Sequence, residues 1–289
     1  MDAIVLGLVL GGLYALLAQS FVITFITTKT LNFAVGEFVA LGAFVVLATA
    51  GWERVPDVLK IGVGVLAAGV LGALAYRWLV LPFTTEGEHD TRWLLSTVAL
   101  SFVMLNLITN VEGPSPQRSD VGRLDGTVAI FGVGISAQML MIAGLSVVVS
   151  VLLAVGARKT PAGLIMRAVS QDPETTSLMG VSPKGVGMVS YAVAMGIAAL
   201  VGTLYAASVG ASSVMGARLL VVSIAVAVIG GLTSLWGPLL GGVLYGVLSE
   251  VVGYEYGTVW GETVGLLLVI AVLVWKPAGI LGKRTEIKL

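Results

Sequence analysis

A lone carboxylate inside a long apolar run is the first place to look for chemistry. Glu37 stands near the start of Leu31-Asn32-Phe33-Ala34-Val35-Gly36-Glu37-Phe38-Val39-Ala40-Leu41-Gly42-Ala43, a stretch with no other charge. An ionisable group in hydrocarbon is costly and by default marks a pathway or a gate. The competing reading is a helix-end carboxylate that complements the helix dipole and bonds nearby amides or pairs with Lys29. Asn32 either caps the same helix or joins the same path. Farther on, Ser96, Thr97, Ser101, Asn106 and Asn110 dot another apolar run, with Thr97, Ser101 and Asn106 on or near one helical face. Such a stripe either lines a water-filled path or cross-links helices. Gln19, Ser20, Ser223, Thr233 and Ser234 complete the polar candidates, and Arg77 and Glu250 lie close enough to run ends to snorkel to the interface.

Other chemistries find no residues to carry them. The nearest approach to a phosphate-binding loop, Gly282-Lys283-Arg284-Thr285, lacks the upstream glycine that the loop needs. There is one histidine, His89, and no cysteine, so no histidine pair or thiolate set offers a metal site, and a serine nucleophile has a poor choice of base. We expect no catalytic residues, no metal and no cofactor on this chain. Sixteen basic residues against sixteen acidic ones give no surface for nucleic acid.

The elements that position these residues follow from composition. Of 289 residues, 57% are hydrophobic, 38 are glycine and only 11% are charged. With a mean hydropathy of +1.02 the chain cannot clothe itself for water, since soluble domains carry roughly 25% charged residues. Only helices and closed barrels satisfy their backbone in lipid, and runs without alternation choose helices. The expected fold is all-α, a polytopic transmembrane helix bundle of about eight or nine spans at roughly 20 residues each. The runs are 3–28, 31–50, 61–82, 93–110, 137–157, 187–209, 219–233, 237–252 and 263–282, with residues 1–289 forming one membrane domain. The N-terminus has no basic flank and reads as a retained helix. Closely spaced glycines, such as Gly62/Gly64, Gly69/Gly72, Gly196/Gly202 and Gly241/Gly242/Gly246, suit close helix packing.

Orientation follows from the basic residues, which short loops keep on the cytoplasmic side. Segment 158–186 holds Arg158, Lys159, Arg167 and Lys184, and the tail holds Lys276, Lys283, Arg284 and Lys288. Both are expected inside, so an even number of crossings must separate them. A helix break supplies the extra reversal: Gly230, Gly231, Gly237 and Pro238 interrupt the apolar run that would otherwise cross once. Counting back places 111–136 and the N-terminus outside, and 83–92 inside despite its Glu86, Glu88 and Asp90.

The 158–186 loop is too long for a turn. Asp172-Pro173-Glu174 reads as a helix start, with Asp172 as N-cap, Pro173 at the first helical position and Glu174 in the first turn. Gly180 closes that short helix. Leu178 and Met179 would be poorly covered in a monomer, which makes them a docking surface or the apolar side of a connector on the lipid.

In this order, Gly11-Gly12-Leu13-Tyr14-Ala15-Leu16, Leu31-Asn32-Phe33-Ala34 with Gly36-Glu37, Leu41-Gly42-Ala43, Arg167-Ala168 with Asp172 and Met179-Gly180-Val181, Gly230-Gly231-Leu232 with Gly237 and Gly241-Gly242, and Lys276-Pro277-Ala278-Gly279-Ile280-Leu281-Gly282 resemble the permease subunits of branched-chain amino acid ABC transporters. The LivH-like branch, the inner-membrane component of a binding-protein-dependent system, is the nearer likeness. The chain departs from the pattern at Val35, where a histidine is usual, at Gln19-Ser20, where small residues are common, and at Thr176, where alanine is usual.

The resemblance implies an inner-membrane importer subunit that is not itself an enzyme. It implies a second, homologous permease chain, two ATPase subunits carrying ATP and Mg, and an extracytoplasmic solute-binding protein. Arg167, Ala168, Asp172, Leu178, Met179, Gly180 and Val181 would form the ATPase-coupling segment. Gln19, Asn32, Glu37, Thr97, Ser101, Asn106 and Ser223 are the candidates for the translocation path of branched-chain or other hydrophobic amino acids. Related importers of urea, short amides or other small solutes, an ion-coupled transporter or channel acting alone, and a polytopic membrane enzyme are the alternatives.

Overall fold

The computed structural model describes residues 2–84, 91–113, 115–118, 121–122, 124, 126–130 and 133–282. His89, the acidic residues of 83–92 and the tail's Lys283, Arg284 and Lys288 lie outside the described residues. The helices are α1 (Asp2–Thr28), α2 (Val35–Ala48), α3 (Asp57–Ala75), a π turn (Tyr76–Val80), α4 (Leu81–Thr84), α5 (Arg92–Glu112), α6 (Ala137–Lys159), α7 (Pro161–Gln171), α8 (Pro173–Leu178), α9 (Pro183–Ser208), α10 (Met215–Gly230), α11 (Gly237–Tyr256) and α12 (Thr258–Trp275). All nine apolar runs are helical, in the order expected. Among the described residues six stretches, Ala3–Thr28, Asp57–Thr84, Arg92–Glu112, Ala137–Lys159, Pro183–Ser208 and Thr258–Trp275, are long and apolar enough to cross a membrane, and α2 and α10 are shorter apolar helices.

The structure differs from the sequence reading at several points. The last run ends at Trp275 and not at 282, because Pro277 has no N–H to continue a helix and disfavours helical backbone in Lys276 before it. Residues Pro161–Gln171 form a helix of their own within the cytoplasmic loop, capped by Thr160, whose hydroxyl accepts the Gly163 N–H. The segment read as a plain outer loop contains a hairpin, β1 (Thr127–Ile130) paired antiparallel with β2 (Val133–Ser136).

The chain divides into two compact units. The first comprises residues 1–22, 125–155 and 222–289, the second 23–124 and 156–221. In the first, α1 and α11 meet at glycines: a Cβ added at Gly11 would fall on the Gly242 backbone, and one at Gly7 on that of Gly246 and Val247. Tyr14 meets Tyr245 edge-on at 5.9 Å. In the second, α2, α3 and α9 form the core. A Cβ at Gly42 would overlap the Ala199 backbone, and one at Gly72 would meet Met195. Tyr76 in the π turn stacks at 4.9 Å on Tyr191, which is fully buried and hydrogen-bonded to Thr30.

Loops in the second unit are stitched together. Gln117 and Ala211 exchange two backbone hydrogen bonds of 2.8 and 2.7 Å. At the start of α3, Asp57 pairs with Lys60 at 3.2 Å and accepts the Gly122 N–H at 3.0 Å.

The glycine contacts give an expected outcome. A Cβ on Gly202 would land on the Val39 carbonyl, whereas one on Gly62 would meet nothing within 4 Å. Gly202→Ala is therefore expected to cost about 1–3 kcal/mol through overpacking, and Gly62→Ala to be neutral or stabilising by up to about 1 kcal/mol. Thermal unfolding of the purified chain in detergent measures both; equal shifts would show that close approach is not the cause.

Candidate functional site

In the second unit Glu37 is buried, 1% exposed. Ser101 Oγ on α5 donates to its Oε1 at 3.3 Å. Its other oxygen reaches no partner among the described residues. That oxygen lies beside the α10 backbone: a Cβ added at Gly216 would stand 2.9 Å from it. Gly36 and Gly216 must both lack side chains for α2 and α10 to approach this closely. The pairing with Lys29 that the competing reading offered is not made: Lys29 is exposed, with a left-handed φ of 57° at the end of α1. The arrangement is a half-bonded carboxyl in an apolar wall, able to accept a hydrogen bond from an ammonium or amide group.

The other candidates disperse. Asn32 does not cap α2, whose first turn starts from Ala34 without a side-chain cap. It turns the chain ahead of the helix, with Oδ1 accepting the Ala34 N–H at 3.0 Å and Nδ2 against Met195 Sδ at 3.6 Å. Thr97 is buried and bonds back to Leu94 of its own helix. Asn106 is not on the face of Thr97 and Ser101. It is exposed, bonds back to Phe102, and with Asn110 lines a shallow groove on α5. Two side chains of the supposed stripe thus meet helix backbone, and only Ser101 reaches Glu37.

In the first unit Gln19 and Ser223 are both fully buried. Gln19 Nε2 donates to the Leu235 carbonyl at 2.8 Å and to that of Ser150 at 3.2 Å. Leu235 lies in the break, where α10 ends at Gly230, Gly231 takes a left-handed φ of 106°, and α11 restarts at Gly237-Pro238. The orphan carbonyls at the end of α10 are taken by the chain's own last described residues: Ile280 N–H donates to Ile229 and Leu281 N–H to Gly230, at 2.8 and 2.9 Å. Lys276 Nζ folds onto the Ile280 carbonyl at 2.6 Å. The sequence reading had placed Ile280 and Leu281 in a span. Ser146 and Ser150, both fully buried on α6, were also missed, because a serine in an apolar run shows no preferred face until its neighbour is known.

Segment 158–186 is built from local rules. Asp172 caps α8, accepting the Thr175 N–H at 2.9 Å. Beyond Leu178 the chain closes with Gly180 at φ 84°, its N–H on Ser177, and the Val181 N–H on Thr176, the paired bonds of a Schellman ending. Val169 and Thr176 are buried, and α7 and α8 pack on α9. Arg167 reaches the Arg158 carbonyl at 3.2 Å, and Ala168 is exposed. Leu178 and Met179 protrude, 88% and 78% exposed. Among the described residues no cluster of three or more metal-ligating side chains exists.

A family model described as "Branched-chain amino acid transport system / permease component" matches residues 3–273. The "High-affinity branched-chain amino acid transport system permease protein LivH" of Salmonella typhimurium is 24% identical, covering 96% of this chain and 94% of its own. The "High-affinity branched-chain amino acid transport system permease protein BraD" of Pseudomonas aeruginosa is 24% identical, covering 98% and 96%. The "Probable branched-chain amino acid transport permease protein LivH" of Methanocaldococcus jannaschii is also 24% identical, covering 95% and 90%.

The α8 cap carries a pH signature. Hydrogen bonds from the Thr175 hydroxyl and N–H hold the Asp172 carboxyl below the usual carboxylate range. A lowered folded pKa stabilises above the unfolded value and is lost as pH falls through the folded one. Protection of the 173–179 amides, relative to their intrinsic exchange rates, is therefore expected to hold down to about pH 4, the ordinary aspartate value, and to fall below it. Asp172→Asn, which still caps, should abolish that dependence while keeping the protection.

Proposed function

The chain belongs to the branched-chain amino acid transport permease family, and from that premise we propose that it is one of two membrane subunits of an ATP-driven importer of branched-chain or other hydrophobic amino acids. The observation that carries the ATP-driven reading is the α8 knob: an apolar Leu178-Met179 pair, exposed on a helix capped at both ends and seated on α9. An exposed apolar pair on a stiff mount suits insertion into a partner's groove. In this reading separate ATPase subunits hold ATP and Mg and grip α7 and α8. Their closure pushes on α9, and the bundle converts the push into alternating access between two states of similar energy.

The second permease subunit is a homologous chain, and an extracytoplasmic binding protein delivers the solute. Segment 158–186 and the C-terminus face the cytoplasm of a cell bounded by this inner membrane, with the N-terminus outside. Solute choice rests largely with the binding protein, so the path needs few charges. Glu37, with one oxygen on Ser101 and the other free to accept, is the group in the path that would meet the solute's ammonium. The names of the relatives support branched-chain amino acids as the solutes.

Three outcomes test this. Affinity purification from gently solubilised native membranes is expected to recover an ATPase and a second permease. Leu178→Asp should lower ATPase recovery about tenfold, since burying one leucine is worth roughly 1.5–3 kcal/mol and 1.4 kcal/mol is tenfold, with membrane insertion unchanged. Glu37→Gln should slow L-leucine uptake in vesicles containing the whole complex while ATPase recovery stays normal. Uptake by this chain alone, driven by an ion gradient without ATP, would replace the importer with a secondary transporter.

A further inference from the structure

Helix α7 turns its apolar side outward. Pro161, Leu164, Ile165 and Ala168 recur at the i, i+3, i+4, i+7 spacing that makes one helical face. All four are exposed, Leu164 to 53% and Ile165 to 38%. The opposite side is the covered one: Gly163 and Val169 are buried, and α7 packs on α9. A helix lying on a protein in water has this the other way round, with its apolar stripe against the core and its polar side out. Arg167 and Gln171, one turn apart and both exposed, stand at one margin of the apolar side.

The chain also holds α7 at the level where a span ends. The span Ala137–Lys159 closes on Arg158-Lys159, and Thr160 alone separates it from α7. An added Cβ at Gly163 would fall 2.4 Å from the Ala157 Cα, so the first turn of α7 lies against the last turn of α6. Arg167 Nη2 ties the second half of α7 to the same turn, donating to the Arg158 carbonyl at 3.2 Å. Basic residues at the cytoplasmic end of a span sit among the lipid headgroups. A helix folded back to the level of Ala157 therefore starts at the membrane surface.

Charge divides the segment in two. Arg158 and Lys159, both exposed, precede α7, whereas Asp172 and Glu174 open α8 at its other end. Anionic headgroups attract the first pair and repel the second.

We propose that α7 is an interfacial helix docked on the anionic lipid surface of the inner leaflet, with Pro161, Leu164, Ile165 and Ala168 against the acyl chains and Arg158 and Lys159 on the headgroups. It rests on the permease reading only in taking α6 as a membrane span. The ATPase subunits of that reading keep the α8 knob and the Arg167 margin of α7, and its apolar side belongs to lipid.

The chain has no cysteine, so single spin labels test the surface: Leu164→Cys and, for comparison, Leu178→Cys, each in the full chain in nanodiscs without ATPase. Molecular oxygen concentrates in lipid and a nickel chelate in water. In discs of phosphatidylcholine with added phosphatidylglycerol, the ratio of oxygen to nickel collision rates is expected to be several-fold higher at 164 than at 178. Discs of phosphatidylcholine alone are expected to lower the ratio at 164; equal ratios in the two kinds of disc overturn the headgroup contact. A ratio at 164 no higher than at 178 overturns the proposal. So does a label at 164 that both probes reach without ATPase and neither reaches once the co-purified ATPase is added, which makes this side part of the ATPase contact. Immobilisation of the label at 178 by that ATPase reports the permease reading separately.

Discussion

A backbone carbonyl that leaves its helix inside a membrane finds no water to replace the lost bond. Between Gly230 and Gly237 this chain opens its backbone between two apolar helices, and much of the first unit is arranged to satisfy the groups this frees. The end of α10 is closed by the N–H groups of Ile280 and Leu281, and the Leu235 carbonyl by Gln19. The Gly237 N–H is taken by the Ser234 hydroxyl at 3.3 Å. Partners that lie far away in the sequence thus hold one short irregular segment, and the apolar composition around it leaves no cheaper solution.

The same constraint explains why polarity points inward and glycine is abundant. With lipid outside, helices gain nothing by hiding leucine from their neighbours, so association relies on close backbone approach and on hydrogen bonds between helices. Gly11, Gly42, Gly202 and Gly242 permit the first, and Gln19 and Ser101 supply the second. Glu37 belongs to both: Gly36 and Gly216 bring α2 and α10 together beside it, and Ser101 holds one of its oxygens.

What could be read in the sequence was local. The apolar runs, the Gly/Pro break and the Asp172-Pro173 start of α8 each depend on residues within a few positions of one another, and a helix stands over each run, the last stopping at Trp275. Side-chain direction was harder. Thr97, Ser101 and Asn106 share an apolar run, yet Asn106 turns outward, because its angle from Ser101 around the helix takes it off the buried face. Ser146 and Ser150 gave no signal alone, because an apolar run does not show which face of α6 its neighbours will bury. The tail was misjudged because Ala278, Ile280 and Leu281 look like span residues, although Lys276-Pro277 already carried the stop. For α7, Thr160-Pro161 was the available sign, a capping residue followed by a proline that suits a first turn.

The bridge between Gln117 and Ala211 has a mechanical consequence. Two loops that share paired backbone bonds cannot be displaced singly, and Asp57 fastens a third point through the Gly122 N–H. A load applied at either loop is therefore divided among the ends of α3, α5 and α9, as a yoke divides a pull between harnessed animals. Whatever tugs on that surface is felt by three helices at once, through two main-chain bonds and one carboxylate.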